Sequence, residues 1–287
     1  MSSKKSIKFS DEILEVFKIY SKIGKRSVNE SFLVVYDTQL KVVHDSGAIM
    51  STYQYDSIGI DKPFALFDSN KLIRATNQFA SVKKDYELII NEPTLSVKAI
   101  GSRNKFDLYL VDFKEKGKLD DNDDVDINGR MTSYVVVDDS KLEELEETIK
   151  TDSKAIFILS KDDVDRISKY QRIMNTRDKF VIKKSKENGN ITIVVTDETT
   201  QSNSDVASFD IEDGISTNNL TDKDSILINF PLDFLVEDDY KITLNDLMLL
   251  EGVNKPVKYI IAPDIETESF DDDTDYDDDF DDDFRND

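Results

Sequence analysis

Two stretches of this sequence are variants of one pattern. Residues 8–23 read KFSDEILEVFKIYSKI, and residues 158–173 read ILSKDDVDRISKYQRI. Each time a short apolar lead-in reaches a serine, acidic residues follow, and a helix-like pattern then holds basic side chains on one side. A chain that repeats such a segment about half its length apart is constrained to fold as two similar units. Its 287 residues, at roughly 150 per domain, accommodate two.

The spacing predicts a helix from about Ser10 to Ile23, with Ile13, Val16, Phe17 and Tyr20 on one apolar stripe. Ser10 can cap it, and Asp11 and Glu12 suit the positive end of the helix dipole. Lys18 and Lys22 fall on the opposite face. Strand-like runs follow (FLVVYD, LKVVHD, STYQYDSI, PFALFD), then a second helix over about 69–80 and three more strands (YELIIN, TLSVKAI, KFDLYLVD). A polar connector covers about 113–130, and YVVVDD with the acidic stretch SKLEELEETIK leads into the second half. There the order returns: strand AIFIL, a helix over 161–174, then KFVIKKS and ITIVVTD around an Asn188-Gly189 hairpin signal, and DVASFDI. SILINF, a helical turn in PLDFLVEDD and the strands YKITL, LMLLEG and VKYIIAP complete it.

In the second helix Val164, Ile167, Gln171 and Met174 share a face, while Arg166, Lys169 and Arg172 gather opposite. Lys71 and Arg74 sit on the helix between the two copies. One reading of these basic faces is ordinary surface charge; the other is a lining that tracks phosphates without reading bases. The second gains weight because two related helices and the one between them repeat the pattern, in a chain that is acidic as a whole. Of its net charge of −23, −12 lies in residues 266–287, leaving −11 for the rest. That terminal segment, with Phe270, Tyr276, Phe280 and Phe284 spaced among carboxylates, is expected to be disordered. It reads either as a solubilising tail or as a protein-docking one. With no cysteine there is no disulfide framework or thiolate metal site. No run approaches the ~18 apolar residues of a membrane span, and no signal peptide is read at the N-terminus. A soluble, cytoplasmic protein is expected, in the host cell cytoplasm if the source is viral.

The order of these segments resembles the DNA sliding clamps of the proliferating-cell-nuclear-antigen class, most of all the phage-type polymerase clamps. KFSDEILEVFKIYSKI resembles the opening strand and channel helix of a clamp's first domain, and FILSKDDVDRISKYQRI the same element of the second. DSILINFPLDFLVEDDYKITL resembles the stretch holding the last helix of phage clamps, and KYIIAPDIE resembles the final strand and exit, typically KYYLAPKIE, of eukaryotic and archaeal clamps. The resemblance spans about residues 6–266 by pattern rather than identity. It implies an α+β fold of two similar clamp-type domains, each with antiparallel sheets outside and two helices inside. The domains are expected at 1–113 and 153–265, joined by an acidic interdomain connector at 114–152 and followed by the tail from 266. The resemblance further implies a homotrimeric ring, with no active site and no cofactor, that encircles double-stranded DNA without sequence preference. It would tether a replicative DNA polymerase for processive synthesis and be placed by a clamp loader. Helix phase then puts Lys18, Lys22, Lys71, Arg74, Arg166, Lys169 and Arg172 towards the hole. A match to the family's YLAP makes Ile260, Ile261, Ala262 and Pro263 one wall of a partner-peptide pocket, though a plain core strand explains the isoleucines equally well.

Other signals are weaker. DVDING over 124–129 begins like a calcium loop but has Val135 where a closing glutamate belongs. The single histidine, His44, would have to carry any His-based triad alone. GKRS at Gly24 lacks the upstream glycine of a phosphate loop, Ile19 standing there instead. No enzymatic activity is expected. The competing function is that of a single-stranded-DNA-binding or other replication accessory protein with an acidic docking tail, which would need base-stacking aromatics on a basic groove.

Overall fold

The computed structural model describes residues 7, 9–23, 32–43, 49–66, 69–81, 86–91, 93–101, 103–116, 134–151, 153–174, 179–185, 188–196, 206–211 and 214–263. His44, the loop at 124–129 and the acidic tail lie outside the described residues.

In the first half an isolated antiparallel bridge joins Ile7 to Leu88. The elements then run α1 (Asp11–Ile23), β1 (Phe32–Val35), β2 (Gln39–Val43), β3 (Ile49–Gln54), β4 (Phe64–Leu66), α2 (Ser69–Ser81), β5 (Tyr86–Asn91), β6 (Thr94–Ala99) and β7 (Lys105–Tyr109). β8 (Phe113–Lys116) and β9 (Tyr134–Val137) pair in parallel and are followed by α3 (Asp139–Thr151). The second half runs β10 (Ala155–Leu159), α4 (Lys161–Ile173), β11 (Lys179–Lys184), β12 (Ile191–Thr196), β13 (Val206–Ile211), β14 (Thr217–Asn218) and β15 (Ser225–Asn229). A 3-10 turn (Leu232–Phe234), β16 (Tyr240–Leu244), β17 (Met248–Gly252) and β18 (Val257–Ile261) complete it.

The pairings repeat. β1 is flanked by β2 and β4, and β2 by β3; likewise β11 is flanked by β12 and β15, and β12 by β13. The bridge from Ile7 to β5 corresponds to the pairing of β10 with β16, and the hairpin series β5-β6-β7 corresponds to β16-β17-β18. All of these contacts are antiparallel, so each half is closed by hairpins and one returning strand. The Asn188-Gly189 turn joins β11 to β12 as its sequence predicts: Gly189 sits at φ 74° and Asn190 N–H donates to Asn188 Oδ1 at 2.9 Å.

The halves meet edge to edge. β18, the last strand of the second half, pairs antiparallel with β3 of the first, giving one nine-stranded sheet ordered β14-β10-β16-β17-β18-β3-β2-β1-β4. A single buried cluster runs through both halves, from Phe17 and Leu72 to Ile167 and Tyr259.

The helices form where their caps say. Ser10 Oγ accepts from Ile13 N–H at 3.2 Å, and Ser160 Oγ accepts from Asp163 N–H at 3.1 Å. The second half differs from the first in its helices. Where α2 stands in the first half, the second has only the 3-10 turn. Pro231 precedes it, and Leu232, Phe234, Leu235 and Val236 are all buried, with Asp233 and Glu237 left at the surface.

The acidic stretch expected merely to lead into the second half is the helix α3, and it packs on the other side of the large sheet. Strand alternation separates the two faces: Tyr259 and Ile261 point into the main core beneath α1, while Ile260 points away from it. Leu142 and Ile149 of α3 bury against Ile260, Leu249 and Val137, with Leu145 and Met50 partly buried around them. Ion pairs fasten the rim, Lys41 to Asp139 at 2.7 Å, Lys258 to Glu146 at 2.6 Å and Lys150 to Glu251 at 2.9 Å.

Candidate nucleic-acid interface

One face of the molecule is a layer of helices in the order α2, α1, 3-10 turn, α4. Each buries the stripe its periodicity predicts: Ile13, Val16, Phe17 and Tyr20 in α1, Leu72, Ile73 and Phe79 in α2, Val164 and Ile167 in α4. Polar contacts inside the layer fix its geometry. Ser21 Oγ donates to Asn70 Oδ1 at 3.0 Å between α1 and α2. Gln171, buried on the core side of α4, accepts from Leu232 N–H at 3.2 Å and donates to the Phe230 carbonyl at 3.4 Å, pinning the 3-10 turn. Beneath α1, Ser51 Oγ lies 2.6 Å from the Tyr20 hydroxyl and 2.9 Å from the Lys258 carbonyl, at the seam between β3 and β18. Burial holds the Tyr20 phenol far above its ordinary pKa, with the neighbouring Tyr259 acting in the same direction, so this seam stays uncharged.

The solvent side of the layer carries the seven basic residues picked out in the sequence. Lys22, Lys71, Arg74, Arg166, Lys169 and Arg172 are exposed, and Lys18 is partly so. They are not equally available. Lys18 pairs with Glu15. Arg166 is drawn down to Asp163 at 2.6 Å and lies over the Phe209 ring at 5.1 Å, and Arg172 folds back on the Ser168 carbonyl at 3.3 Å. Among the described residues Lys22, Arg74 and Lys169 have no ion-pair partner.

Charge is segregated between the two sides of the sheet. α1, α2 and α4 together hold eight Lys and Arg against six Asp and Glu, whereas α3 holds two against five. In α1 no carboxylate follows Lys18, and in α4 none follows Arg166. Four of the six acids sit in the first turns, where the dipole favours them, and Glu15 and Asp165 follow directly, so the C-terminal half of each of these two helices is left basic. Such a surface suits a phosphate backbone, to which lysine and arginine bind without selecting bases.

The four residues matched to a peptide pocket do not form one wall. Ile261, 1% exposed, belongs to the main core, and Ile260, 5% exposed, lies beneath α3 on the opposite face. Only Ile260 reaches the groove on that face. This groove, about 560 Å³, runs between α3 and the seam, with Met50, Leu142, Glu143, Glu146 and Lys258 among its lining. Ala262 and Pro263 are partly buried at the strand's exit. Sequence reasoning missed the contribution of α3, although Leu142, Leu145 and Ile149 carry the three- and four-residue spacing of a helix face.

No protein-family model matches the sequence, and no curated protein matches it. Solved structures do match in fold. The C-terminal region of FEN-1 bound to A. fulgidus PCNA aligns with a TM-score of 0.51 at 18% identity, covering 92% of this chain and 99% of that one. Proliferating Cellular Nuclear Antigen from Entamoeba histolytica aligns with a TM-score of 0.52 at 16% identity, over 90% of this chain and 98% of that one. The beta chain of DNA polymerase III from Streptococcus pneumoniae aligns with a TM-score of 0.54 at 12% identity over 92% of this chain. This chain spans 65% of the length of that bacterial one. Two halves of repeated topology, sheets on one side and a helix layer on the other, therefore make up the fold of the DNA sliding clamps.

Proposed function

We propose that this protein is a DNA sliding clamp, a ring of three copies that encircles duplex DNA and holds a replicative polymerase to it. The observation that carries the reading is the seam between the halves and what it leaves unpaired. Within the chain the last strand of one repeat, β18, pairs with the third strand of the other, β3. The equivalent strands are β7 and β13, and among the described residues each is the edge of its own sheet. Pairing β13 of one copy with β7 of the next would repeat the same antiparallel seam. Phe106 and Tyr109 on β7 and Val206 on β13 are 40%, 80% and 55% exposed, leaving apolar surface at both edges to be covered. Such a head-to-tail contact uses two different surfaces and closes into a ring when the rotation between copies allows.

In that ring the helix layer faces inward. Lys22, Lys71, Arg74 and Lys169 would meet the phosphates, with Lys18, Arg166 and Arg172 alongside, while the acidic outer side discourages DNA from lying there. Retention is topological, so contacts can stay weak and sliding free, and the function needs no catalytic step and no cofactor. The groove beside α3 is the place for a polymerase or clamp-loader segment that presents an apolar anchor to Met50 and Ile260. A viral source, with the host cell cytoplasm as the working compartment, fits the resemblance to phage-type clamps.

Native mass measurement across a concentration series is expected to give a trimer. After loading, the protein should remain on circular duplex and run off once the circle is cut. A monomer at every concentration, or equal retention on linear and circular DNA, overturns the reading; direct tight binding to single-stranded oligonucleotides instead would favour the single-strand binder.

A further inference from the structure

The last described strand, β18, ends on the same side of the molecule as the last turn of α1. Glu12 near the start of α1 hydrogen-bonds Tyr53, and Tyr20 two turns later reaches Ser51. Tyr53 and Ser51 pair with Val257 and Tyr259. α1 therefore advances in the same sense as β18, and its last turn, with Lys22, is directed towards the end where β18 stops at Ile261. Residues 264–287 continue from there. Fully extended, these 24 residues reach up to about 80 Å, enough to cross the whole layer.

We infer that residues 266–287 dock on the cationic helix layer of their own ring as a tethered stand-in for the phosphate backbone, and that duplex DNA must displace them. The inference rests on the reading of that layer as the DNA-facing surface. Charge selects the place: the segment carries a net charge of −12, the outer helix α3 is acidic, and the layer holds Lys22, Arg74 and Lys169 with no ion-pair partner among the described residues. Phe270, Tyr276, Phe280 and Phe284 recur along the segment, so a ring is always near to lie against a lysine stem or an arginine plane. Tethering raises the local concentration of such a segment to the millimolar range, so even a weak contact competes with DNA. The consequence is selective: casual contact with nucleic acid is suppressed, while a duplex threaded through the ring brings many phosphates at once and wins.

The test compares the full-length chain with a full-length variant in which the ten aspartates between 271 and 283 are asparagine. A labelled peptide of residues 266–287 is added to that variant at low salt and followed by fluorescence anisotropy. The peptide should bind saturably, and about tenfold more weakly when Lys22→Glu, Arg74→Glu and Lys169→Glu are also present, because the contact is chiefly ionic. A short linear duplex should displace it. The asparagine variant should also bind that duplex several-fold more tightly than the unaltered chain. Peptide binding that ignores the three reversals, or equal duplex affinity of the two full-length chains, overturns the inference while leaving the DNA reading intact. Peptide binding that is lost on reversal, with no duplex binding to either chain, instead overturns the DNA reading of the layer.

Discussion

Asp238 shows how much single side chains contribute at the turns that close the sheet. It is buried, and its carboxylate accepts from Asn254 Nδ2 at 2.8 Å, Lys255 N–H at 2.7 Å and Asp239 N–H at 2.9 Å. Burial pushes its pKa up, but hydrogen bonds from the Asn254 side chain and from the backbone of Lys255, Asn254 and Asp239 together outweigh it, and the net shift is downward. A carboxyl whose folded pKa lies below its unfolded value of about 3.9 contributes stability above that value and loses it as pH falls through the folded pKa. Asp238→Asn is therefore expected to lower the melting temperature at pH 7, at a cost of about 1–3 kcal/mol, and the gap from the unaltered protein should narrow below about pH 4. Melting curves from pH 7 to 3 check this; a gap that stays constant across the series would show that the charge is not what the turn uses. Gln171 is the second such case. It holds backbone groups of residues 230 and 232 in a dry core, and Gln171→Leu should cost about 1–3 kcal/mol in a urea titration by leaving them unpaired. Both roles were hidden in the sequence. Asp238 reads as one more acid in VEDDY, and Gln171 as a polar residue on an apolar stripe, because partners 16 and 61 positions away leave no local trace.

At the level of elements, what the sequence made legible followed local rules. α1, α2 and α4 show the apolar period, α1 and α4 also show serine caps and acidic first turns, and the hairpin at Asn188-Gly189 shows its turn dipeptide. α3 was legible in principle, but five acids among its 13 residues obscured the Leu142–Leu145–Ile149 stripe. Its covering of Ile260 could not be read, since nothing local says which face of β18 a distant helix will take. The stripe itself is testable. Ile149→Ala removes a side chain that is 2% exposed between α3 and the sheet, and should cost about 2–5 kcal/mol in chemical denaturation. The basic faces predict a different behaviour. Lys22→Glu, Arg74→Glu and Lys169→Glu together touch no ion pair among the described residues and bury nothing, so melting should stay nearly unchanged while the rate of loading onto duplex at low salt falls steeply. An unchanged loading rate would mean that the layer does not meet the phosphates.

For the molecule as a whole, the decisive feature is that one seam is made inside the chain and, among the described residues, an equivalent one is not. The β18–β3 seam holds five residue pairs from Val257–Tyr53 to Ile261–Ile49 and merges the two halves into a single sheet. The repeat was visible from sequence, but the seam was not, because strand pairing across some two hundred residues carries no local signature. If β7 and β13 meet between copies as β18 and β3 meet within one, charging both edges should open the ring without unfolding the subunit. Phe106→Lys and Val206→Lys place ammonium groups on the two facing edges, at positions 40% and 55% exposed in the isolated chain, so the main loss within the subunit is the contact of Phe106 with the Phe79 ring. Like charges brought across an edge repel, and lysine is a residue that sheet edges use to refuse partners. The double variant is expected to run as a monomer by native mass, with a melting transition close to that of the unaltered protein, and to be lost from circular duplex. Changing only Phe106 to Lys and Val206 to Glu offers opposite charges to the same seam and should restore the larger assembly. Were the lysine pair still fully assembled, the contact between copies would lie elsewhere, and the correspondence between the inner seam and the outer edges would fail with it.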